Sequence, residues 1–276
     1  MADQQWMRLL QIEMHDKSGK NRVLFRADSG RLDRFEIHMT APFSDEPTPS
    51  EVSVTMYNLS KKSIDFIKKG NPVYIHAGYA GTSHGVITQG TIATLQPTVL
   101  SGVDRITTFT FLEGKDYSDH KEVNITFAKG SDANTIIRRV ANESGIPISE
   151  IKLKNNKVYG SGYTADGQAM SVLEEVAKAC DTSIYFRRGQ LVIKNFKEGN
   201  KERLKLSAAT GLISQPTRIE NGDYSGWSIE CLLQHKISTG TAVHIDSKNV
   251  KGNFYVKNGQ HSYDGSNFTT TCEVVS

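Results

Sequence analysis

The sequence predicts an α+β fold that is mainly β, with two similar β-barrel-like modules separated by a mixed α/β insert. Apolar and polar residues alternate through most of the first and last parts of the chain, which is typical of strands with one buried face. Apart from one short helix, apolar residues with helical spacing are confined to the middle. Connections at Gly114 and Lys197–Lys205 set the predicted modules at 1–114 and 201–276 and the insert at 115–200.

The first module is predicted to begin with three strands. Trp6–Met14 and Asn21–Ala27 are joined by a polar, glycine-containing turn and are predicted to form a hairpin. Leu32–Thr40 is the third predicted strand. Pro42–Ser50 is polar, rich in proline and too long for a tight turn, so we interpret it as a loop that serves as a contact arm.

The stretch Glu51–Ala77 predicts a strand, a short helix and a second strand. Ser60 is placed to cap the helix, since a serine hydroxyl accepts a hydrogen bond from a free amide of the first turn. Leu59 and Ile64 have the spacing of a hydrophobic staple. The predicted end of the helix is marked by two cations, a C′ glycine and a proline, namely Lys68, Lys69, Gly70 and Pro72.

The strand framework of this module recurs near the C-terminus. Each copy has an approach segment, an alternating strand, a second strand, a glycine-led strand and a threonine-rich strand. In the first copy these are Phe35–Pro42, Glu51–Tyr57, Asn71–Ala77, Gly90–Leu95 and Ile106–Leu112. In the second copy they are Gly211–Pro216, Trp227–Leu233, Thr241–Asp246, Gly252–Lys257 and Phe268–Val275, with the connector Gln234–Gly240 in place of the helix. Internal duplication and the general likeness of small β-domains are both open as explanations at this point.

The insert is predicted to contain both helices and strands. A short strand, Val123–Phe127, precedes a helix over Asp132–Glu143 whose apolar residues share one face. Gly145 ends this helix, and a second helix is predicted over Ala169–Ala179. A hairpin follows, formed by Ser183–Arg187 and Gln190–Lys194 with its turn at Arg188-Gly189.

Length, charge, hydrophobicity and cysteine content indicate what kind of protein to expect. A chain of 276 residues is long enough for two or three small domains, and its net charge of +3 gives no reason to expect a nucleic-acid or membrane partner. The N-terminal segment lacks a signal-peptide pattern and no window approaches eighteen apolar residues, so we expect neither a signal peptide nor a membrane-spanning segment. Cys180, Cys231 and Cys272 lie far apart and are expected to be free, buried thiols in a reducing cytoplasm.

The sequence contains no catalytic constellation, since it lacks a nucleophile elbow, a phosphate-binding loop and a zinc-protease motif. The histidines on or beside strands are scattered: His76, His235, His244 and His261. Glu174 and Glu175 are adjacent on a helix and therefore diverge, unlike the convergent carboxylates of a glycosidase. Four further acidic residues are interpreted as solvating a strand end and a loop: Asp104, Glu113, Asp116 and Asp119. We therefore expect no catalytic residue, no metal site, no cofactor and no enzymatic activity.

One stretch of the predicted insert favours a binding function. Lys129–Ser131, the helix that follows and Ser144–Asn156 together resemble a LysM-type wall-binding repeat, which also uses a polar glycine turn, a short helix and a glycine-hydrophobic exit. The resemblance implies either glycan binding or a LysM-like piece with a purely structural role.

Taken whole, the chain resembles the baseplate hub family of bacteriophage tails, of the late-control protein D type. Relatives of that family occur in phage-tail-like bacteriocins and contractile injection systems. Four pieces carry the resemblance in order: Ser50–Ala77 as the first β-module, Phe127–Ile151 as the LysM-like insert, Gly167–Ile193 as a helix before a hairpin, and Leu232–Ser276 as the terminal module.

The resemblance implies a non-enzymatic structural protein. Such hubs form homotrimers in which the two tube modules of each chain make a pseudo-sixfold ring. The ring joins the hexameric tail tube to a trimeric spike or tip, around the channel that DNA crosses. The implied partners are other copies of the chain, the tail tube or distal tail protein and the spike or tip protein, with the tape-measure protein as a further candidate. The implied location is the tail baseplate of the virion, after assembly in the host bacterial cytoplasm.

The threonine-rich runs Thr107–Thr110 and Thr269–Thr271 are interpreted as neutral, solvated faces that would not hold phosphates tightly. The sequence does not identify the assembly surfaces. The alternative function is that of a peptidoglycan-binding module of a tail or secreted protein, acting through the LysM-like segment.

Overall fold

Strands dominate the computed structural model, which describes residues 6–80, 83–115, 117, 122–221 and 224–276. The predicted mainly β, α+β class is confirmed. The first β region consists of β1 (Arg8–His15), β2 (Arg22–Arg26), β3 (Ile37–Phe43), β4 (Glu51–Tyr57), α1 (Lys61–Phe66), β5 (Pro72–Tyr79), β6 (His84–Leu95), β7 (Val99–Ser101) and β8 (Asp104–Glu113).

The insert and the second β region follow. The insert consists of β9 (Glu122–Phe127), β10 (Ser131–Asp132), α2 (Ala133–Glu143), β11 (Ile148–Lys152), β12 (Val158–Tyr159), β13 (Tyr163–Gln168), α3 (Ala169–Lys178), β14 (Ile184–Arg187) and β15 (Gln190–Lys194). The second β region consists of β16 (Arg203–Leu206), β17 (Thr217–Asn221), β18 (Tyr224–Leu232), β19 (Ala242–Asp246), β20 (Lys251–Tyr263) and β21 (Phe268–Val275). Short 3₁₀ turns lie at Phe196–Glu198 and Ala208–Thr210.

One large sheet runs through both β regions in the order β17-β18-β21-β20-β3-β4-β8-β6-β5-β1-β2, with β7 beside β8, β19 beside β20 and β16 beside β19. The first region therefore has the order β3-β4-β8-β6-β5, and the second has the order β17-β18-β21-β20-β19. These orders are equivalent strand for strand, as a duplication requires. The regions differ at the outer position, where β1 pairs antiparallel with β5 but β16 pairs parallel with β19.

The first β region curls around its own apolar core. The inward residues of β4 (Val52, Val54 and Met56) are fully buried, as their alternation predicts. The sheet closes on itself where the N–H of Phe35, just before β3, donates to the carbonyl of Arg26 at the end of β2, with 2.7 Å between nitrogen and oxygen.

The second β region packs around a separate core. Leu212 forms an isolated bridge with Cys231 of β18, so the approach segment before β17 lies on β18 as β3 lies on β4. Cys231 and Cys272 are buried in this core, and Cys180 is buried in the insert. All three thiols are free in the structure.

The insert has a third core, formed where α2 and α3 pack together and against strands. Three small sheets surround the helices: β9 with β13, β10 with β12, and β11 with β15 and β14. The predicted helices agree with α2 and α3 to within one residue at each end. None of the helices in the described ranges is long and apolar enough to cross a membrane.

Several predicted boundaries are wrong. The third strand begins at Ile37 rather than Leu32 and continues through Phe43, so the following loop is shorter than predicted. Ser60 caps α1 by accepting from the N–H of Ser63, but the helix ends at Phe66, because Ile67 takes an extended conformation and is buried. The cations expected in its last turn therefore lie beyond it.

Candidate functional site

The four histidines singled out in the sequence lie on the strands or in the connection before β19, and His235 is close enough to His261 to lower its pKa. His76 lies 3.8 Å from a Glu13 carboxylate oxygen, and burial lowers its pKa. His244 is hydrogen-bonded to Asn253 at 2.8 Å. His235 and His261 belong to the joints described below. Within the described ranges, no three histidine, cysteine or acidic residues are grouped as metal ligands.

The acidic residues are also dispersed. Asp104 accepts a hydrogen bond from the side chain of Asn58 at 2.7 Å. Partial burial raises the pKa of Glu174, which lies on α3. The predicted loop residues Asp116 and Asp119 lie outside the described residues. Glu113 is the exception to the predicted solvating role, because it is buried rather than solvated.

The tip of the β14–β15 hairpin forms a joint between the insert and both β regions. Arg188 and Gly189 both have positive φ, 50° and 77°, as a two-residue hairpin turn requires. The N–H of Gly189 donates to Oε1 of Glu113 at the end of β8, at 3.1 Å. Arg188 extends the other way, and its Nη2 donates to the carbonyl of His235 at 2.8 Å. We call these four residues the hairpin joint.

Burial dominates the electrostatics of the hairpin joint. It raises the pKa of Glu113 to about 7, and the hydrogen bond from Gly189 offsets only part of this effect. Burial, together with the Arg188 charge, lowers the pKa of His235 to about 4. At neutral pH His235 is therefore uncharged and Arg188 carries the fixed charge. This group of residues fixes the position of the insert relative to both β regions.

A second joint links the two β regions directly. The second half of β20 runs antiparallel to β3, with Gly259 opposite Phe43 and His261 opposite Ala41. The ring of His261 lies 5.1 Å from that of Phe43, centroid to centroid. Its Nε2 lies 3.2 Å from the carbonyl of Ile237, and its Nδ1 lies 2.8 Å from the hydroxyl of Thr270. Burial lowers the His261 pKa to about 3, so the ring is neutral and Nε2 is the donor.

The loop predicted as a contact arm makes contacts within its own chain. The ammonium of Lys257 lies 2.7 Å from a carboxylate oxygen of Asp45, and both side chains are largely buried. Pro47 and Pro49 line a small cavity beside α3. The loop therefore strengthens the association of the first β region with β20 and with the insert.

The strands β7 and β17 each have one open edge. Among the described residues, β7 pairs only with β8 and β17 pairs only with β18. The segment around β7 also carries four large apolar side chains with high exposed fractions, namely Leu95 (37%), Val99 (60%), Leu100 (73%) and Val103 (97%). Unpaired backbone groups beside exposed apolar side chains are typical of an assembly surface.

The threonine-rich runs are only partly solvated. Thr107 and Thr270 are fully buried, because they point to the core side of β8 and β21. Thr108 and Thr110 point to the other face, where they are hydrogen-bonded to Thr55 and Thr94 respectively. The prediction that the entire runs form solvated faces is therefore wrong, because alternation sends every second residue inward.

The LysM-like segment forms β10, α2 and β11. Asp132 caps α2 by accepting from the N–H of Thr135 at 3.0 Å. The apolar face of α2, which includes Ile136, Ile137 and Val140, is buried in the insert core. Only the polar face of the helix, with Arg138 and Arg139, is open to a ligand.

The chain was compared with known protein families, curated sequences and solved structures. A family model described as baseplate hub gp41 matches residues 52–265. No curated protein sequence matches the chain.

Solved structures with a similar fold include a tail protein from Neisseria meningitidis MC58, with a TM-score of 0.66 and 8% identity over 98% of this chain and 96% of that one. Another is the 43 kDa tail protein of prophage MuSo2 from Shewanella oneidensis, with a TM-score of 0.65 and 10% identity over 97% of this chain and 98% of that one. A third is the E. coli c3393 protein, a component of the type VI secretion system, with a TM-score of 0.62 and 8% identity over 90% of this chain and 75% of that one.

Proposed function

Because this chain belongs to the baseplate hub gp41 family, we propose that it is the non-enzymatic hub of a phage tail baseplate, a homotrimer that joins a hexameric tail tube to a trimeric spike or tip. Membership of this family makes the chain a structural tail protein. We further propose that the three chains of the trimer form a pseudo-sixfold ring.

The observation that carries the proposal is the repeated strand order of the two β regions, held side by side by the β3–β20 joint. Three chains with two similar barrels each would present six similar surfaces around one axis. A threefold object could then contact a sixfold tube without a symmetry mismatch, because each tube subunit would meet nearly the same surface. DNA would pass through the centre of this ring.

The dispersed titratable groups support a role without catalysis. Among the described residues, Glu113 and His261 have strongly perturbed pKa values, and both are buried in joints instead of lining an open cleft. The 1–114, 115–200 and 201–276 division is part of this proposal, with the insert outside the ring. The location we propose is the tail baseplate, reached after assembly in the cytoplasm of the host.

The test is a stoichiometry measurement on the assembled complex. The chain is produced together with the tail-tube and spike proteins of its particle, and the complex is weighed by native mass spectrometry. We expect three copies of this chain for each hexameric tube ring and each trimeric spike. A complex with one, two or six copies would contradict the proposal.

A further inference from the structure

The joint between the two β regions of one chain shows which edges of these barrels can pair. There Gly259–Tyr263 of β20 runs antiparallel to Met39–Phe43 of β3. Because the two regions share one strand order, each edge of this joint has a counterpart in the other region. Identifying both counterparts shows where a second joint of the same kind could form.

The counterpart of the second half of β20 is β7. A bulge follows Ile92 in β6, where the strand pairs with Phe111, and a bulge follows Val256 in β20, where the strand pairs with Val274. Beyond its bulge, β20 continues along β21. In the first region, β7 continues along β8 in the same way. We call Phe111 and Val274 the bulge partners.

Pairing beyond the bulge gives the residue correspondence. Leu95 corresponds to Gly259, because each lies opposite the residue two positions before its bulge partner. Val99 corresponds to Ser262, because their partners, Ile106 and Thr269, both lie five positions before the bulge partner. The first region reaches this point with one additional residue.

The counterpart of the second half of β3, Thr40–Phe43, is β17. Thr40 of β3 lies opposite Ser53, and Thr217 of β17 lies opposite Ser228. In each region this serine directly follows the residue that pairs with the bulge partner. Thr217 therefore corresponds to Thr40, and the free edge of β17 corresponds to the edge of β3 that binds β20.

These correspondences leave one half of the same joint open at β7 and the other half open at β17. The strands β7 and β17 lie at opposite ends of the path β17-β18-β21-β20-β3-β4-β8-β7. We propose that β7 of one copy pairs antiparallel with β17 of the next copy. Since Ser262 lies opposite Thr40 within the chain, the inferred register places Val99 opposite Thr217 of the neighbouring copy. This inference rests on the proposed homotrimer and specifies its subunit contact.

The chemistry of the two edges supports this occupant. Val99 and Leu100 are 60% and 73% exposed on the β7 side. Ile213, just before β17, is 49% exposed. A head-to-tail contact of unlike edges can close into a ring, and it removes both unpaired edges from solvent. A second copy of this chain therefore satisfies both open edges.

The test is a disulfide between the two edges, made by combining Val99→Cys with Thr217→Cys. The variant is assembled with the tail-tube and spike proteins, oxidised, and analysed by non-reducing electrophoresis beside native mass spectrometry. The native cysteines are buried, so they should not interfere. We expect covalent dimers and trimers that disappear on reduction, because residues opposite each other in paired strands are close enough for a disulfide.

Three further sets of variants test whether the cross-link is specific to the inferred register and contact. Each single-cysteine variant should remain uncrosslinked. Val99→Cys combined with Glu220→Cys should also remain so, since three residues along a strand displace the partner by about 10 Å, beyond the reach of a disulfide. Leu100→Lys should weaken self-association in the complex by roughly tenfold or more, because it places a charge at the contact.

The outcomes separate this inference from the proposed function. Three copies in the complex with no cross-link between residues 99 and 217, or an equal cross-link from the Glu220 pair, would overturn the inferred contact and leave the trimer standing. A complex without three copies would overturn the proposed function and the inferred contact together.

Discussion

Glu113 and Arg188 show how single residues hold the three parts of the chain together. Glu113 is 2% exposed and accepts from Gly189, but its second oxygen, Oε2, has no hydrogen-bond partner among the described residues. Leaving a buried carboxylate oxygen unsatisfied is costly, which agrees with its pKa of about 7. Raised above the ordinary value of 4.5, this pKa makes the Glu113 contribution largest below pH 4.5, and the contribution is lost as the pH rises through 7.

His261 has the opposite pH dependence. Its pKa falls from 6.5 to about 3 in the folded protein, so the stability it contributes is complete above pH 6.5 and is lost as the pH falls towards 3. We expect His261→Gln to flatten the decrease in unfolding free energy below pH 6.5 by up to about 1.4 kcal/mol per pH unit. Urea unfolding of both proteins at a series of pH values measures this difference.

The matched control for this prediction is His244→Gln. His244 lies on β19 and is bonded only to the side chain of Asn253 among the interactions described, so its replacement removes a strand histidine without altering the β3–β20 joint. Parallel curves for the wild type and His261→Gln would show that protonation of His261 does not weaken the joint.

At the residue scale, the sequence revealed cores better than joints. The alternation in β4 identified Val52 and Val54 as buried, because burial follows directly from strand period. Glu113 was assigned to solvent because nothing near it in sequence marks its partner, which lies 76 residues away. Arg188 was recognised only as a turn residue, since turn chemistry is local and the target of its side chain is not.

Glycines control how closely the elements approach one another. Gly189 at the tip of the β14–β15 hairpin lies against β6, where an added Cβ would be 2.6 Å from the backbone oxygen of Gln89. Gly259 in β20 lies against β21, where an added Cβ would be 2.4 Å from the backbone oxygen of Thr271. Both contacts involve backbone atoms, which cannot rotate away as a side chain can.

We expect Gly189→Ala to destabilise the protein by about 2 kcal/mol more than Gly130→Ala, because overpacking of this kind typically costs 1–3 kcal/mol. Gly130 is the matched control, since it also has a positive φ of 89° but nothing within 4 Å of the added Cβ. Equal losses of unfolding free energy in urea titrations would show that backbone strain alone, and not contact with β6, makes glycine necessary at the tip.

At the element scale, long-range pairing explains what the sequence could not show. Gly252–Lys257 was predicted as a complete strand, but β20 extends to Tyr263 because its second half pairs with β3. Lys197–Lys205 was predicted as a charged link, so β16, most of which lies within it, was missed. This strand is stabilised by parallel pairing with β19. The strand β7 has only three residues and follows a proline, so alternation could not reveal it.

For the whole molecule, the continuous sheet and the separate insert core define two kinds of connection. The β regions share backbone pairing through β3 and β20. The insert has its own apolar core and reaches both β regions through the hairpin joint. The recurring strand framework was predicted from the sequence, but the edge-to-edge pairing of β3 with β20 was not.

A wall-binding role makes a different prediction for the whole chain. We expect the full chain to remain in the supernatant when it is mixed with purified peptidoglycan and centrifuged, because the apolar face of the LysM-like helix is occupied by the insert core.

We also expect no clearing of a peptidoglycan suspension by the wild type or by Glu174→Gln, which removes an acid with a raised pKa. Sedimentation with the wall, or lysis that Glu174→Gln abolishes, would contradict the hub assignment.

The pairing of β3 with β20 also has a consequence for synthesis on the ribosome. A chain emerges from its N-terminus, so β3 leaves the ribosome long before β20 does. Until β20 is made, one edge of the first barrel has no strand beside it, although most residues of that barrel's core have already been made. A nascent chain that stalls or terminates before Gly259 would therefore expose an unpaired strand edge. Translation of the β20–β21 hairpin covers this edge and so protects the new chain from association with other nascent chains on the same polysome.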